Sequence, residues 1–295
     1  MGLYDTPPPH VPQWLPLAST GVLVIGMVCW YTAYAMITLK AIKDKSYGMP
    51  MMATIGNWSW ELLYSFCVAE HPFEMVGLGL WFFLDVGMVW TTVMYAHNDW
   101  KLSSPWVGRN MGKIFLVLMP FALWGNYTFS SWWLSEPGAG FGDKTGKWFR
   151  GREGYDTLEL GIWSALVPQC WISAGSLAML LSRQHSGGTS FTIWFLRALG
   201  SAAGMFGFEA LLWWYWPEQH GFFTNHFHLF LSSIYLGSDL IYPFVLYRVM
   251  QTEVILPDGR HISAEHHRIE QALAMAATAG AGQVKGGFVV DRKGQ

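Results

Sequence analysis

The segment Met49–Ala69 has the sequence MPMMATIGNWSWELLYSFCVA, in which Glu61 is the single charged residue of a largely apolar run. A bilayer core about 30 Å thick is crossed by about 20 apolar helical residues, and this segment has that length. A charged side chain in the middle of a membrane costs a few kcal/mol or more, so it faces the interior of a helix bundle and usually marks function. The segment therefore predicts a membrane-spanning helix that carries a functional acid.

The composition of the whole chain also indicates a membrane protein. Of its 295 residues, 52% are hydrophobic and only 13% are charged, whereas a soluble domain carries about 25% charged residues. The formal net charge of −2 argues against nucleic acid as a partner. Cys29, Cys67 and Cys170 all lie in apolar blocks, and their spacing fits neither a disulfide framework nor a zinc site. The lipid bilayer is the expected surrounding of this chain.

Seven apolar blocks are long enough to cross a bilayer, and clusters of turn-forming residues separate them. The fold class predicted is all-α: a polytopic membrane protein with a bundle of seven transmembrane helices over residues 1–250 and a short cytosolic tail over residues 251–295. No internal repeat supports an inverted-repeat transporter. The predicted spans are Leu17–Leu39, Met49–Ala69, Met75–Ala96, Lys113–Leu134, Leu158–Leu181, Ile193–Trp216 and Phe223–Met250.

The distribution of lysine and arginine predicts the orientation of the chain. The first, third and fifth loops carry basic residues near the span ends, whereas the second and sixth loops and the N-terminal segment carry none. This pattern predicts an N-terminus outside or in the lumen, a cytosolic C-terminus and, in a eukaryote, residence in the endoplasmic reticulum. The fourth loop opposes this orientation, because it places four basic residues outside: Lys144, Lys147, Arg150 and Arg152.

The tail has the signals of a small appendage. A hairpin is expected around Pro257–Gly259, followed by a helix that begins after Ser263 and ends near Thr278. The glycine-rich segment GAGQVKGG is expected to be mobile. No chemistry is expected in the tail.

Four acids lie inside predicted spans: Glu61, Asp85, Glu209 and Asp239. At about 1.5 Å rise per residue, Glu61, Asp85 and Asp239 each lie roughly 15–18 Å from the cytosolic ends of their helices. Glu209 lies nearer the outer side. Three spans thus carry an acid at a similar depth, which predicts one shared polar site in an otherwise apolar bundle.

Large aromatic side chains share helix faces with these acids, at spacings of three and four residues. An acid could also serve structure by pairing with a base, but Arg197 is the one clear base inside the spans. Without a partner, burial disfavours the charged form of a carboxyl group. A neutral acid can protonate an apolar guest, and aromatic faces can stabilise the resulting cation. Proton-initiated cation chemistry and proton-coupled transport are both consistent with these residues.

Three short motifs resemble those of the paxilline-cyclase family of integral-membrane terpene cyclases. They are N-x-x-W-E at 57–61, W-x-x-x-D at 81–85 and S-D-L-I-Y-P at 238–243, and the resemblance covers roughly residues 20–250. It implies an enzyme that cyclises a linear prenyl chain on an aromatic or indole headgroup, often after epoxidation of the terminal alkene, giving polycyclic meroterpenoids. It also implies that the reaction uses no cofactor and no metal.

The same resemblance assigns roles to the acids. Glu61 and Asp239 match the two key acids of the family and are predicted to form the initiating acid unit, in which one protonates the substrate and the other positions it. Asp85 matches a supporting acid, and Glu209 matches no motif. The residues predicted to bind substrate or stabilise the cation are Asn57, Trp60, Tyr64, Trp81, Tyr235 and Tyr242.

Other functions remain as alternatives or are excluded. The Asp-rich motifs that bind Mg²⁺ and diphosphate in soluble terpene synthases and membrane prenyltransferases are missing. The histidines lack the HxxxH spacing of a di-iron site, so no metal is expected. The main alternative is a seven-span proton-coupled transporter or receptor that uses the same buried carboxyl groups. The sequence leaves the oligomeric state open.

Overall fold

The structure is a computed structural model that describes residues 2–286, and its secondary structure is mainly helical. Several helices begin where the sequence supplies a capping residue. Asp156 accepts hydrogen bonds from the backbone N–H groups of Leu158 and Glu159, and Asn225 accepts one from Phe227. The long helices are α1 (Leu15–Asp44), α2 (Met51–Leu63), α3 (Pro72–Asp99), α5 (Met111–Ser135), α6 (Thr157–Arg183) and α10 (His226–Thr252).

Six helical segments of the described chain are long and apolar enough to cross a membrane: α1, α3, α5, α6, the segment Phe191–Tyr215 and α10. This confirms a polytopic helical membrane protein. The predicted number of seven spans is not confirmed. The second predicted span forms α2, which continues as a π-helical turn at Tyr64–Val68. Together they measure about 27 Å at about 1.5 Å per residue, and α2 packs among α3, α5 and α6.

The segment Phe191–Tyr215 is one helical rod with an internal π-helical stretch. It consists of α7 (Phe191–Ser201), a π-helical part (Ala202–Gly207) and α8 (Phe208–Tyr215). The rod packs closely on α1, because a Cβ atom added to Gly26 would lie 2.4 Å from the Cα atom of Gly204. A larger residue at Gly26 would therefore force the two helices apart, whereas a Cβ atom at Gly204 would make a tight contact of 3.1 Å with Gly26.

The long helices pack so that α6 contacts α2, α5 and α10, while α1 contacts α3, α7 and α8. Apolar side chains on the outer surfaces of the spans are exposed, as lipid contact requires. On α5, for example, Leu116, Phe121 and Trp124 are exposed. The buried helix faces enclose the cavity described below.

Short elements connect the spans. Helices α5 and α6 are joined by a loop that contains the hairpin of β1 (Trp148–Phe149) and β2 (Arg152–Glu153). The remaining short helices are α4 (Pro105–Arg109), α9 (Pro217–His220) and a 3-10 turn (Gly221–Thr224).

In the tail, β3 (Val254–Ile255) pairs antiparallel with β4 (His261–Ile262) around the expected turn. The last helix, α11 (Ala264–Gly286), extends beyond its predicted end near Thr278 and includes most of the segment expected to be mobile. Residues 287–295 lie outside the described part of the chain.

Candidate active site

An elongated cavity of about 260 Å³ lies inside the bundle. It follows α1 from Leu15 to Tyr34 and α6 from Leu158 to Ile172, which are distances of roughly 28 Å and 21 Å at about 1.5 Å per residue. Its walls are mainly apolar, and each of its two ends carries a group of polar side chains. We call them the deep end, lined by Tyr34, Asn57 and Glu61, and the loop end, lined by Asp5, Lys147, Trp216 and His220.

Asn57 organises the deep end. Its Nδ2 atom lies 2.7 Å from Glu61 Oε1, 2.9 Å from Asp85 Oδ2 and 2.6 Å from Tyr34 Oη. The Tyr34 hydroxyl also donates to Glu61 Oε1 at 3.4 Å. All four side chains are buried. Asn57 and Glu61 share one face of α2 because they are four residues apart, so a single amide joins groups from α1, α2 and α3.

Glu61 and Asp85 form a pair of carboxyl groups. Glu61 Oε2 and Asp85 Oδ1 have no hydrogen-bond partner in the described part of the chain. Glu61 Oε1 and Asp85 Oδ2 lie 2.7 Å and 2.9 Å from the same nitrogen, Asn57 Nδ2, so the two carboxyl groups are neighbours. Two neighbouring carboxyl groups favour a state in which one is protonated, because two carboxylate charges repel each other. Glu61 borders the cavity, whereas Asp85 is fully buried behind it.

Asp239 has different partners, so the predicted unit of Glu61 and Asp239 is not the pair that the structure brings together. Asp239 Oδ2 accepts a hydrogen bond of 2.9 Å from Ser173, and Oδ1 lies 3.6 Å from Nη2 of the buried Arg197. Asp239 does not line the cavity, within the described residues. The reason is that Arg197 on α7 lies against α10 and attracts this acid, the structural role that the sequence left as an alternative.

A short chain of hydrogen bonds leads from Asp239 towards the cavity. Gln169, which lines the cavity, donates to the hydroxyl of Ser173 at 3.1 Å and to that of Ser201 at 2.9 Å. Ser173 in turn donates to Asp239. Asp239 can therefore influence the cavity through Ser173 and Gln169, without itself reaching a ligand.

The six predicted binding residues divide into two groups. Asn57, Trp60 and Trp81 line the cavity, and the Nε1 donor of Trp81 has no partner among the described residues. The three tyrosines lie elsewhere and tie helices together. Tyr64 binds Ser130 and Ser164, Tyr235 lies in an apolar cluster, and Tyr242 donates to Thr189.

Sequence reasoning missed two groups that the cavity brings together, and it left the role of a third open. Tyr34 lies on α1, whose predicted span contains no acidic residue, so nothing in the sequence indicated a site on that helix. Gln169 is a neutral residue on α6. Glu209, whose role stayed open, lines the cavity, and its Oε2 lies 2.5 Å from Nε2 of His228. The spacing of these residues along the chain gives no signal, because they meet only when separate helices pack.

Two of the four basic residues that opposed the predicted orientation, Lys147 and Lys144, are buried at or beside the loop end. Lys147 is fully buried, and its Nζ lies 2.8 Å from Asp5 Oδ2, 3.6 Å from Asp156 Oδ2 and 3.5 Å from His220 Nε2. Lys144 Nζ is 3.0 Å from Asp156 and 2.5 Å from Glu159. Both lysines therefore take part in a buried ion-pair network that fixes the loop on the bundle.

Burial and neighbouring charge set the protonation states at the loop end. Burial alone would lower the pKa of Lys147, but the carboxylates of Asp156 and Asp5 raise it above the ordinary value. Burial, together with the Lys147 charge, lowers the pKa of His220 to about 3. His220 is thus neutral at neutral pH. Its Nδ1 lies 3.0 Å from the Trp216 carbonyl oxygen and donates to it, which leaves Nε2 to face Lys147.

These features define an integral membrane protein with an internal, mostly apolar cavity and a carboxyl pair at its deep end. The chain matches the model of the Pyr4-like transmembrane terpene cyclases over residues 3–252. It therefore belongs to that family and is a cyclase, which confirms the resemblance found in its motifs.

Individual relatives agree with the family assignment. The chain is 32% identical over 259 residues to terpene cyclase ascF of Acremonium egyptiacum, covering 88% of this chain and 92% of that protein. It is 32% identical over 228 residues to the Pyr4-family terpene cyclase mfmH of Annulohypoxylon moriforme, covering 76% and 84%. Terpene cyclase paxB of Penicillium paxilli is 27% identical over 253 residues, 83% of this chain and 91% of that protein. No solved structure matches the chain.

Proposed function

We propose that this membrane cyclase protonates the terminal epoxide or alkene of a prenylated aromatic or indole compound and guides the carbocation to a polycyclic meroterpenoid. The observation that carries this proposal is the position of Glu61. It borders an apolar cavity and has one free carboxyl oxygen, while Asn57 and Tyr34 hold the other. A proton donor held in this way faces the part of a ligand that reaches the deep end.

In the proposed reaction Glu61 is the donor and Asp85 is its partner. The Glu61 O–H bond breaks as the proton moves to the epoxide oxygen, the epoxide C–O bond opens, and successive alkenes attack the cationic carbon. Asp85 and Asn57 stabilise the carboxylate that remains on Glu61, because a carboxylate accepts hydrogen bonds from the amide and from a protonated neighbour. Trp60 and Trp81 present aromatic faces to the cation.

The last cation must lose a proton, and Glu209 is the proposed acceptor. It is a second carboxyl group on the cavity wall, and His228 at 2.5 Å can share the proton it receives. The product of an epoxide substrate is then an isomer of it: the former epoxide oxygen carries the proton from Glu61, and the lost proton leaves a new alkene. Glu209→Gln is expected to alter the ratio of cyclic products more than the consumption of substrate; an unchanged ratio would remove Glu209 from this role.

Asp239 is proposed as a positioning residue. Its hydrogen bond to Ser173 and its ion pair with Arg197 fix α6, α7 and α10, and Gln169 transmits that arrangement to the cavity. This assignment replaces the direct acid role that the family resemblance suggested for Asp239.

The orientation is proposed as inferred from the loops, with a lumenal N-terminus and a cytosolic C-terminus in the endoplasmic reticulum. The opposing lysines of the fourth loop, Lys144 and Lys147, are bound in ion pairs, which supports a structural reason for their presence. A cysteine-reactive, membrane-impermeant label tested on a cysteine introduced at the exposed Gly151 would locate this loop. Labelling from the cytosolic side would show that the topology is the opposite of the proposed one.

The proposed chemistry is tested with membranes that contain only this protein. Incubation with farnesylated and geranylgeranylated aromatics, with and without a terminal epoxide, should give a cyclic isomer in the absence of nucleotide and ion gradient. Activity should persist in EDTA, because the proton comes from a carboxylic acid. A reaction abolished by EDTA and restored by a metal ion would refute the mechanism, and gradient-driven uptake without conversion would favour a transporter.

A further inference from the structure

The loop end of the cavity differs chemically from the deep end. The deep end presents carboxyl oxygens, and it lies against Tyr34 near the middle of the bundle. The loop end is lined by the indole of Trp216 and by the charged side chains of Lys147 and Asp5. An elongated ligand that fills the cavity therefore meets two unlike environments at its two ends.

Trp216 supplies an unsatisfied donor at the loop end. Its side chain borders the cavity and is only 4% exposed, yet Nε1 has no hydrogen-bond partner in the described part of the chain. Buried indole N–H groups usually find an acceptor, because an unmade hydrogen bond leaves the cost of desolvation uncompensated. The orphaned N–H thus indicates an acceptor that comes from a ligand.

The neighbours of Trp216 define which acceptor fits. Lys147 Nζ lies 4.8 Å from the centre of the indole ring, and its own donors face Asp5, Asp156 and His220. The positive charge therefore stays beside the site and favours an oxygen with partial negative charge. A fully charged anion fits less well, because the Asp5 carboxylate also borders this end.

We propose that the loop end is the headgroup site, where Trp216 Nε1 donates a hydrogen bond to a carbonyl or hydroxyl oxygen on an uncharged aromatic headgroup. This inference rests on the proposed function, which places the far end of the prenyl chain at Glu61. It narrows the substrate class, since an unsubstituted indole offers a donor N–H and no oxygen acceptor. It also fixes the direction in which the substrate lies in the cavity.

Binding of unreactive analogues to the purified full-length chain tests the headgroup site. Two analogues carry the same saturated farnesyl chain; one bears an aromatic ring with a hydroxyl and an adjacent carbonyl, and the other bears a plain phenyl ring. The wild-type chain should bind the oxygenated analogue about three- to tenfold more tightly, the range that a single net hydrogen bond supplies. Trp216→Phe keeps an aromatic ring and should abolish that preference.

Trp214→Phe is the matched control, because Trp214 lies two residues earlier, on α8, and is 70% exposed; this variant should keep the preference. If the wild-type chain bound the oxygenated and the phenyl analogue equally well, the proposed headgroup site would be refuted, and that comparison needs no variant. An equal preference in Trp216→Phe would overturn the role of Trp216. The saturated farnesyl group of the analogues has no alkene or epoxide to protonate. These binding results are therefore independent of cyclisation. A preserved preference without turnover of reactive substrates would refute the proposed function alone.

Discussion

At the scale of single residues, Asn57 assembles the deep end of the cavity. One amide nitrogen approaches oxygens of Tyr34, Glu61 and Asp85, which belong to three different helices. The amide carries two N–H donors and the Tyr34 hydroxyl supplies a third hydrogen to Glu61, so these oxygens can all be satisfied. The second oxygen of each carboxyl group, Glu61 Oε2 and Asp85 Oδ1, has no partner among the described residues.

The first prediction compares the two members of this carboxyl pair. Glu61→Gln keeps the size and polarity of the side chain but removes the acidic proton, so it should lower product formation by about 10²–10⁴-fold, the range of general acid catalysis. Asp85→Asn should have a smaller effect, because Asp85 does not border the cavity. The measurement is product formed per unit of folded protein. Near-normal turnover in Glu61→Gln would exclude Glu61 as the proton donor.

The sequence identifies the acids of this site better than it identifies their partners. Glu61 and Asp85 stand out because a charge inside an apolar span is costly. Tyr34 and Gln169 do not, since uncharged residues are common in spans. Depth along the helices placed Asp239 beside Glu61, but depth does not determine which way each helix face points. In the structure the face of α10 that carries Asp239 lies against α7, so Asp239 pairs with Arg197.

At the scale of helices, Asp239 and Arg197 connect α10 to α7. The second prediction is that Asp239→Asn lowers thermal stability as well as turnover, because it leaves the buried Arg197 charge without its counter-ion. Breaking a buried pair in this way costs about 3–5 kcal/mol. The measurement is the unfolding temperature in detergent, with Glu61→Gln as the comparison.

A double variant, Asp239→Asn with Arg197→Met, separates structure from function. Because it removes both charges, it should recover much of the stability lost in the single variant. If Asp239 only holds helices together, turnover should recover with stability. A recovery of stability without recovery of turnover would show that Asp239 positions groups of the cavity, as proposed.

The third prediction concerns His220, which lies on α9 and contacts Lys147 of the loop between α5 and α6. Burial lowers its pKa to about 3, below the ordinary value of 6.5, so between these values the unfolded chain binds a proton that the folded chain does not. Stability should therefore fall as pH decreases from about 6.5 towards 3, by up to about 1.4 kcal/mol per pH unit from this residue. Burial lowers the pKa of His185 to about 3 as well, so it adds to the same slope.

Unfolding temperatures of His220→Asn between pH 7 and pH 4.5 test this relation. The variant should lose stability less steeply with falling pH than the wild type. His10→Asn is a suitable control, since the His10 side chain is 55% exposed. An identical slope in His220→Asn and the wild type would show that His220 is not a source of the acid sensitivity.

The positions of the helices can be predicted from the sequence better than the irregularities inside them. Apolar length predicts where a helix crosses the membrane, and all the predicted spans are helical in the structure. The π-helical parts at Tyr64–Val68 and Ala202–Gly207 have no sequence signal that distinguishes them from α-helix. The second of them lies against α1, which approaches it closely at Gly204.

For the whole molecule, two networks of polar groups hold the two ends of the bundle. One is the loop end with Lys147 and Asp5. The other joins the tail to the opposite end, where Glu253 accepts hydrogen bonds from the backbone N–H and the hydroxyl of Ser186 at 2.6 Å and 2.8 Å. His261 on β4 lies 3.1 Å from Glu253 and 3.8 Å from Asp44. The hairpin of the tail is thus part of the folded bundle.

The last prediction separates this hairpin from α11. The described ion pair between α11 and the bundle joins Glu270 to Lys101, whose side chain is 53% exposed, and such pairs contribute at most about 1 kcal/mol. Truncation after Ser263 removes α11 and keeps the hairpin, so turnover and unfolding temperature should remain close to those of the full chain. Truncation after Thr252 removes Glu253 as well, and the loss of its buried hydrogen bonds should cost about 1–3 kcal/mol. Glu253→Ala in the full-length chain should reproduce most of that loss. If truncation after Ser263 abolished turnover in a protein that inserts and unfolds normally, α11 would have to complete the cavity or hold it closed.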